Sequence, residues 1–334
     1  MPQLNLSRLE FGDRVQHQLR VVELAEKRTS NGDPFFIVTL GNACSQIDSG
    51  PVWSDRIAEN WLDGVVRGDV VQAIGNIGLY GARRQLVLSA PLRILPREEL
   101  RLEDFLPSID RDPAEYWDIL DRFRSQIVPP TIRRVLDVFF ADDDFRGRFE
   151  RAPASVGGHH CRLGGLLEHV TEVAAIARQT AKAMRANADL AVAGALLHDI
   201  GKVEAYSISW EGFGRTREGH LIEHVVLGCL MLDRKLRKLG EPFCSDEQSI
   251  ELQHLILSHH GLLEFGSPVR PLTLEAEVLH WADEASAKAA SFREAVADDT
   301  AFPDDAEFGD KSKLWRVDRR ALWRKKHNWG MPEG

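Results

Sequence analysis

Between Asp13 and about Leu95, apolar positions fall in short, often alternating runs broken by turn residues, a pattern that predicts β-strands. "RVQHQLRVVEL" leads into "KRTSNGDPFFIVTL", and the turn signal Ser30-Asn31-Gly32-Asp33-Pro34 separates two of these runs. "IDSGPVW", "DVVQAIGNIGLY" and "RRQLVLSAPLRIL" supply the others, with "AENWLDGVV" read as a short helix between two strands. Gly75 and Gly78 inside a strand pattern suggest bulges or tight bends of a small curved barrel. About five strands in about 85 residues fit an OB-fold, which assigns residues 1–96 to an N-terminal β-barrel domain.

After Pro96 the texture changes. Residues 97–112 form a turn-rich connector, and from about Ala114 the apolar spacing becomes helical. Helices are expected near 113–127, 129–141, 164–186, 189–199, 219–239, 246–260 and 273–296. Ser245 and Gln248 form a capping box before one of them, with Gly261 just past its end. The chain is therefore multidomain: a small β-barrel, an all-α domain over 113–298, and a tail over 299–334. That tail turns acidic ("DDTAFPDDAEFGD") and then basic with Trp315, Trp323 and Trp329, read as packing or as extra nucleic-acid contact.

Composition narrows the function classes. With 43% hydrophobic and 28% charged residues, the 334-residue chain reads as globular. No apolar run approaches the roughly 18–20 residues of a membrane helix. The N-terminus lacks a secretory layout, and four cysteines without a C-x-x-C pair fit a reducing, cytoplasmic setting. A net charge of -9 disfavours a protein that simply coats nucleic acid, although a local basic groove stays open. On the barrel, Phe35, Phe36, Trp53, Tyr80, Arg83 and Arg84 are the candidates for stacking bases and pairing phosphates of a single strand. Phe35 and Phe36 are neighbours, so in a strand only one of them faces away from the core.

The histidines carry the chemistry. Of twelve, ten lie between His159 and His280. His169, His198, His224, His259 and His260 fall in or at the ends of separate apolar helices, joined by Asp199 in "ALLHDIGK" and Asp283 in "LHWADE". A buried, unpaired Asp costs several kcal/mol, a cost that a bound metal removes. Imidazole and carboxylate suit manganese, iron or zinc. On a helix His198 and Asp199 point about 100° apart, which suits one metal on the His and an Asp bridging toward a second. Gly201 is expected to end that helix. Lys202 is then free to reach an anionic substrate group, or is a solvated helix-end cation.

The order "H…HD…H…HH…D", with "HHCRLGGLLEHV", "AGALLHDIGK", "LIEHVVLGCLML" and "HLILSHHGLLEFGSPVRPLTLEAEVLHWADEASAK", resembles the HD-domain superfamily of metal-dependent phosphohydrolases. With "QLVLSAPLRIL" and "DFLPS" ahead of it, the chain resembles more closely the YhaM-type 3′-to-5′ exoribonucleases, over roughly residues 13 to 290. The resemblance implies an OB-fold before an HD domain and metal-dependent exonucleolysis, with manganese the expected ion and iron or magnesium as alternatives. It implies metal ligands at His169, His198, Asp199, His224, His259, His260 and Asp283; the reading of the residues themselves adds two ions and a catalytic part for Asp199 and Lys202. His159 and His160 match a histidine pair placed to touch the substrate phosphate. His220, His254 and His280 match no ligand position. One feature departs from a strand-binding barrel: residues 1–96 carry ten Lys/Arg against ten Asp/Glu.

The expected partner is single-stranded RNA or DNA, with no membrane and a homo-oligomer left open. Two other readings stand beside the exonuclease: an HD phosphohydrolase of a small nucleotide, and a non-enzymatic single-strand-binding protein.

Overall fold

The computed structural model describes residues 4–81, 83–238, 244–298, 301–302, 306–325 and 329. Lys326 to Asn328 of the basic tail and the predicted last residue of the 219–239 helix lie outside them. The chain divides into two compact units, 1–108 with 208–213 and 109–207 with 214–334.

The first unit is an antiparallel sheet. Its strands are β1 (Arg14–Arg28), β2 (Pro34–Gly41), β3 (Gln46–Asp48), β4 (Val52–Trp53), β5 (Val70–Tyr80), β6 (Arg83–Leu88) and β7 (Arg93–Ile94). The path runs β3-β2-β1-β5-β6, with β4 on β2 and β7 on β5. Its two ends meet at one parallel bridge, Ser49 to Leu86, rather than along a ladder. This is an OB-like arrangement without full closure. Alternate residues such as Val15, Leu19, Val38, Leu40, Ile77 and Leu86 point inward and are fully buried.

Two local expectations shift. The irregularity lies in β1, between Val21 and Glu23, whereas β5 pairs regularly through Gly75 and Gly78. Gly75 is instead a site of close approach: a Cβ there would lie 2.4 Å from the Val87 carbonyl oxygen. The short helix is α1 (Ser54–Ala58), which ends at the first residue of "AENWLDGVV". Asn60 and Gly64 take positive φ (61° and 67°), which breaks helix where apolar spacing predicted it.

The second unit contains α2 (Pro113–Gln126), α3 (Pro130–Phe140), α4 (Asp143–Arg151), α5 (Gly165–Met184), α6 (Ala188–Leu197), α7 (Lys202–Ala205), α8 (Arg217–Leu221), α9 (His224–Lys238), α10 (Asp246–Ser258) and α11 (Leu274–Ala297). Helix α6 is buried from Leu190 to Leu197 and forms the centre of the core, packed by α5 and α11. A second focus of that core is aromatic: Trp117, Phe139, Phe140, Phe145 and Phe149 meet at centroid separations of 5.1–6.4 Å. Helix α4 was not anticipated, because "DDFRGRFER" offers only Phe145 and Phe149 as an apolar stripe. A hairpin, β8 (Tyr206–Ser209) with β9 (Gly212–Arg215), also interrupts the helices, its strands too short for periodicity to register. No described helix is long and apolar enough to cross a membrane.

The expected capping box on α10 is present, the Ser245 hydroxyl accepting from the Gln248 amide while the Gln248 side chain accepts from the Ser245 amide. Replacing Ser245 with Ala should cost about 1 kcal/mol and lower Tm by roughly 2–4 °C in a thermal melt. An unchanged Tm would show that this cap carries no stability.

Candidate metal centre

Five helices converge on one point, and each delivers its ligand candidate through a specific local device. His169 sits in the second turn of α5. Helix α6, capped by the Asn187 side chain, runs directly into His198 and Asp199. The expected single helix over 219–239 is broken at Glu223, whose φ is 69°, so that α9 starts at His224. Left-handed backbone at a non-glycine costs about 1–2 kcal/mol, and here it aims a ligand candidate. Helix α10 ends immediately before His259 and His260, and Gly261 (φ 75°) turns the chain away. Asp283 lies in the middle of α11.

Gly201 does not end a helix in the expected sense. Helix α6 stops at Leu197, and Gly201 is right-handed with φ -66°. Its role is proximity, since a Cβ there would lie 2.0 Å from the His224 carbonyl oxygen. The glycine lets the His198-Asp199 turn touch the start of α9, which brings His224 to Asp199.

Asp199, wholly buried, divides the site. Its Oδ2 lies 3.1 Å from His198 Nε2 and 3.4 Å from His169 Nε2. Asp283 Oδ1 stands 3.1 Å from the same His169 nitrogen. Asp199 Oδ1 faces the other way, 3.4 Å from His224 Nε2 and 3.8 Å from His259 Nε2. Donor atoms of His169, His198 and Asp283 lie within 4.8 Å of one another, and so do those of His224, His259 and His260. The carboxylate thus has one oxygen in each half.

The far side of each ring fixes its tautomer. His198, His259 and His260 donate from Nδ1 to the carbonyl oxygens of Ala195, Ile256 and Phe265 (2.7, 2.7 and 2.9 Å), and His224 donates to the Glu223 carboxylate (3.2 Å). A carbonyl or carboxylate can only accept, so each Nε2 keeps its lone pair for the centre. His169 meets a hydroxyl instead, Ser286 Oγ at 3.1 Å. That hydroxyl donates to Glu172 (2.7 Å), and Glu172 is pinned by Arg293 (2.9 Å). The carboxylate therefore commits the serine proton and leaves Ser286 to accept from His169. Sequence reasoning missed Ser286, Glu172 and Glu223. The signal was present in the spacing: Glu172 and Ser286 each follow a ligand candidate by three residues on the same helix face.

Electrostatics agree with a cation site. Burial holds His224 and His259 far below the usual imidazole range, so both are neutral lone-pair donors. Burial alone would favour the neutral acid at Asp199, but His198 and Lys202 outweigh it and keep it ionised. Asp199 Oδ1, His224 Nε2 and His259 Nε2 are buried acceptors with no hydrogen-bond partner, facing one another. Such a set is costly unless a cation completes it. The residues present fit a divalent metal.

The comparisons agree with this geometry. The family model described as "HD domain" matches residues 166–288, a span holding every ligand candidate from His169 to Asp283. Among curated proteins, the chain is 30% identical over 280 residues to the 3′-5′ exoribonuclease YhaM of Bacillus licheniformis, covering 84% of this chain and 86% of that one. The chain belongs to the YhaM family. The protein of the same name from Bacillus subtilis is 29% identical over the same length, and that of Listeria welshimeri 28% over 275 residues, with 82% and 85% covered. No solved structure gives a significant match.

The remaining predicted residues of this YhaM-family chain are placed as follows. Lys202 is neither solvated nor free: it is buried, with Nζ 2.5 Å from Asp199 Oδ2. His159 borders His169 at a ring separation of 5.2 Å, and burial pushes it down to about 3. His160 is buried with φ 49°, its Nε2 3.3 Å from Glu172. His254 accepts from the Leu272 amide and His280 donates to the His259 carbonyl, while His220 is exposed. On the sheet, Phe36 packs on the barrel core, and Phe35 turns to Trp53 at 5.0 Å. Tyr80, 76% exposed, pairs across the β5–β6 hairpin with Arg83, next to Arg84.

Two outcomes test the centre. Ser286→Ala should weaken metal binding by about 10–100-fold with little change in Tm, measured by titration calorimetry on the apoprotein. Unaltered affinity would show that His169 needs no relay. For pH, burial disfavours the charged form of His169, but Asp199 and Asp283 outweigh it and raise it to about 9. A metal must displace that proton. Affinity should therefore climb by up to about ten-fold per unit as pH approaches 9, then flatten. A flat profile between pH 6 and 9 would contradict it.

Proposed function

We propose that the chain is a metal-dependent 3′-to-5′ exoribonuclease that hydrolyses phosphodiester bonds of single-stranded RNA. The observation that carries this reading is the Asp199-centred site inside a chain that aligns with YhaM exoribonucleases over more than four-fifths of their length. In this reading His169, His198 and Asp283 on one side and His224, His259 and His260 on the other would hold the metal, two ions being expected, with Asp199 offering one oxygen to each side. Manganese is the expected metal, with iron or magnesium as alternatives. When bound, divalent metal supplies Lewis acidity, which makes water a competent nucleophile near neutral pH and offsets phosphoryl charge.

The chain's own residues do the rest. Asp199 stays ionised and spans both halves. Lys202, held at its Oδ2, brings a cation to the site where phosphate charge accumulates. His159, neutral at working pH, acts toward a phosphate oxygen as a hydrogen-bond donor rather than a general acid. His160, behind it, sets its position. No serine or cysteine nucleophile is required. Residues 1–96 hold the strand through Trp53 with Phe35, and through Tyr80 with Arg83 and Arg84. Their balanced charge means that stacking, not counterion release, dominates there.

A time course on 3′-labelled and 5′-labelled RNA, with Mn²⁺ and with EDTA, tests the reading. The 3′ label should leave first as mononucleotide, and EDTA should stop it. Hydrolysis of free nucleotides with RNA left intact would favour the small-nucleotide alternative. Asp199→Asn should abolish hydrolysis while leaving a cooperative thermal transition. A variant that unfolds, with undiminished activity per folded molecule, would mark Asp199 as structural.

A further inference from the structure

The segment from Lys311 to Lys325 carries seven Lys/Arg against one Asp, a local charge of +6 in a chain whose net charge is -9. It is not an unstructured charge run. Leu314, Val317 and Leu322 are buried with Ala295, Ala301 and Phe302 in a small core of their own on the end of α11. The aliphatic residues face in while the large aromatics face out: Trp315 is 58% exposed and Trp323 52%. A segment folded for stability alone would turn its tryptophans inward, where they bury most apolar area. The Arg316 guanidinium stands 5.2 Å from the centre of the Trp315 ring, so a partly exposed indole and a cation already share this surface.

The position is as informative as the composition. Helix α11 carries Asp283 at its middle and the tail at its end, and the 11 residues from Asp283 to Glu294 span about 16 Å. Arg316 pairs with Glu294 (3.1 Å), Glu294 with Arg162 (3.6 Å), and Arg162 with Glu168 (2.9 Å), which precedes His169. A line of ion pairs thus leads from the tail to the rim of the metal centre within one compact unit.

We propose that residues 311–325 form a second single-stranded RNA contact surface, which grips the strand a few nucleotides upstream of the 3′ end being hydrolysed. Trp315 and Trp323 stack bases, and Lys311, Arg319 and Lys325 neutralise phosphates. The proposal rests on the exoribonuclease reading and deepens it, since that reading leaves the tail without a task and the barrel without excess charge.

The test uses full-length, metal-loaded protein. One variant carries Trp315→Ala with Trp323→Ala; a second carries Lys311→Gln, Arg319→Gln and Lys325→Gln. Thermal melts and metal content should match wild type, because each replaced side chain is exposed. The tryptophan variant should bind a long single-stranded RNA about ten-fold or more weaker, with turnover of a trinucleotide unchanged. The charge variant should flatten the salt dependence of that binding by about two units in log Kd against log salt. Unchanged Kd and salt slope, with wild-type protein shortening RNA normally, would overturn the tail's role and leave the exoribonuclease reading standing. Wild-type protein that neither binds nor shortens RNA would sink both. Variants that bind RNA normally but lose affinity for phosphatidylserine-containing vesicles would assign the surface to a membrane instead.

Discussion

A carboxylate sealed from water is the constraint on which the helical unit is built. Asp199 is fully buried, and removing such a charge from water costs several kcal/mol unless partners replace the lost hydration. The unit supplies part of that replacement through Lys202 and His169, and surrounds the rest of the carboxylate with imidazole lone pairs that await a cation. His198 is its chain neighbour, Lys202 follows one turn on, His169 comes from α5, and His224 and His259 come from α9 and α10. No pair of helices would suffice. The fold holds five helix segments at distances that are unfavourable for five imidazoles and two carboxylates alone, and favourable once a cation joins them.

That constraint explains features with no purpose in packing. The left-handed turn at Glu223 shortens α9 so that a histidine opens it. Gly201 removes a side chain so that two backbones touch. Ser286 occupies a buried position on α11 where an alanine would pack as well, and its hydroxyl is spent entirely on His169 and Glu172. Each gives up a little stability to fix where a lone pair points.

Legibility in the sequence follows from range. The helices whose apolar stripes are long, such as α5 and α11, fall within two residues of their expected ends, and the Ser245 capping box is a local pattern that needs no tertiary context. The strand-then-helix order held because periods of 2 and 3.6 differ over any ten residues. What escaped depends on contacts distant in sequence. Helix α4 is carried by two phenylalanines whose meaning lies in the aromatic cluster they enter. Lys202 reads equally as a substrate contact or as a solvated helix-end cation, and neither reading contains its burial against Asp199. Glu172 serves a histidine through a serine 114 residues away, a link that composition does not carry.

The same logic separates affinity from chemistry. At the metal centre burial keeps His224 and His259 neutral, so these two imidazoles add no charge of their own toward an incoming strand. The barrel region is balanced at ten basic against ten acidic residues. A concentrated positive excess lies instead between Lys311 and Lys325, at +6. On the proposed reading, an acidic chain with a local excess of positive charge in the same unit as its candidate metal centre limits non-specific association, and still raises the concentration of phosphate near that centre.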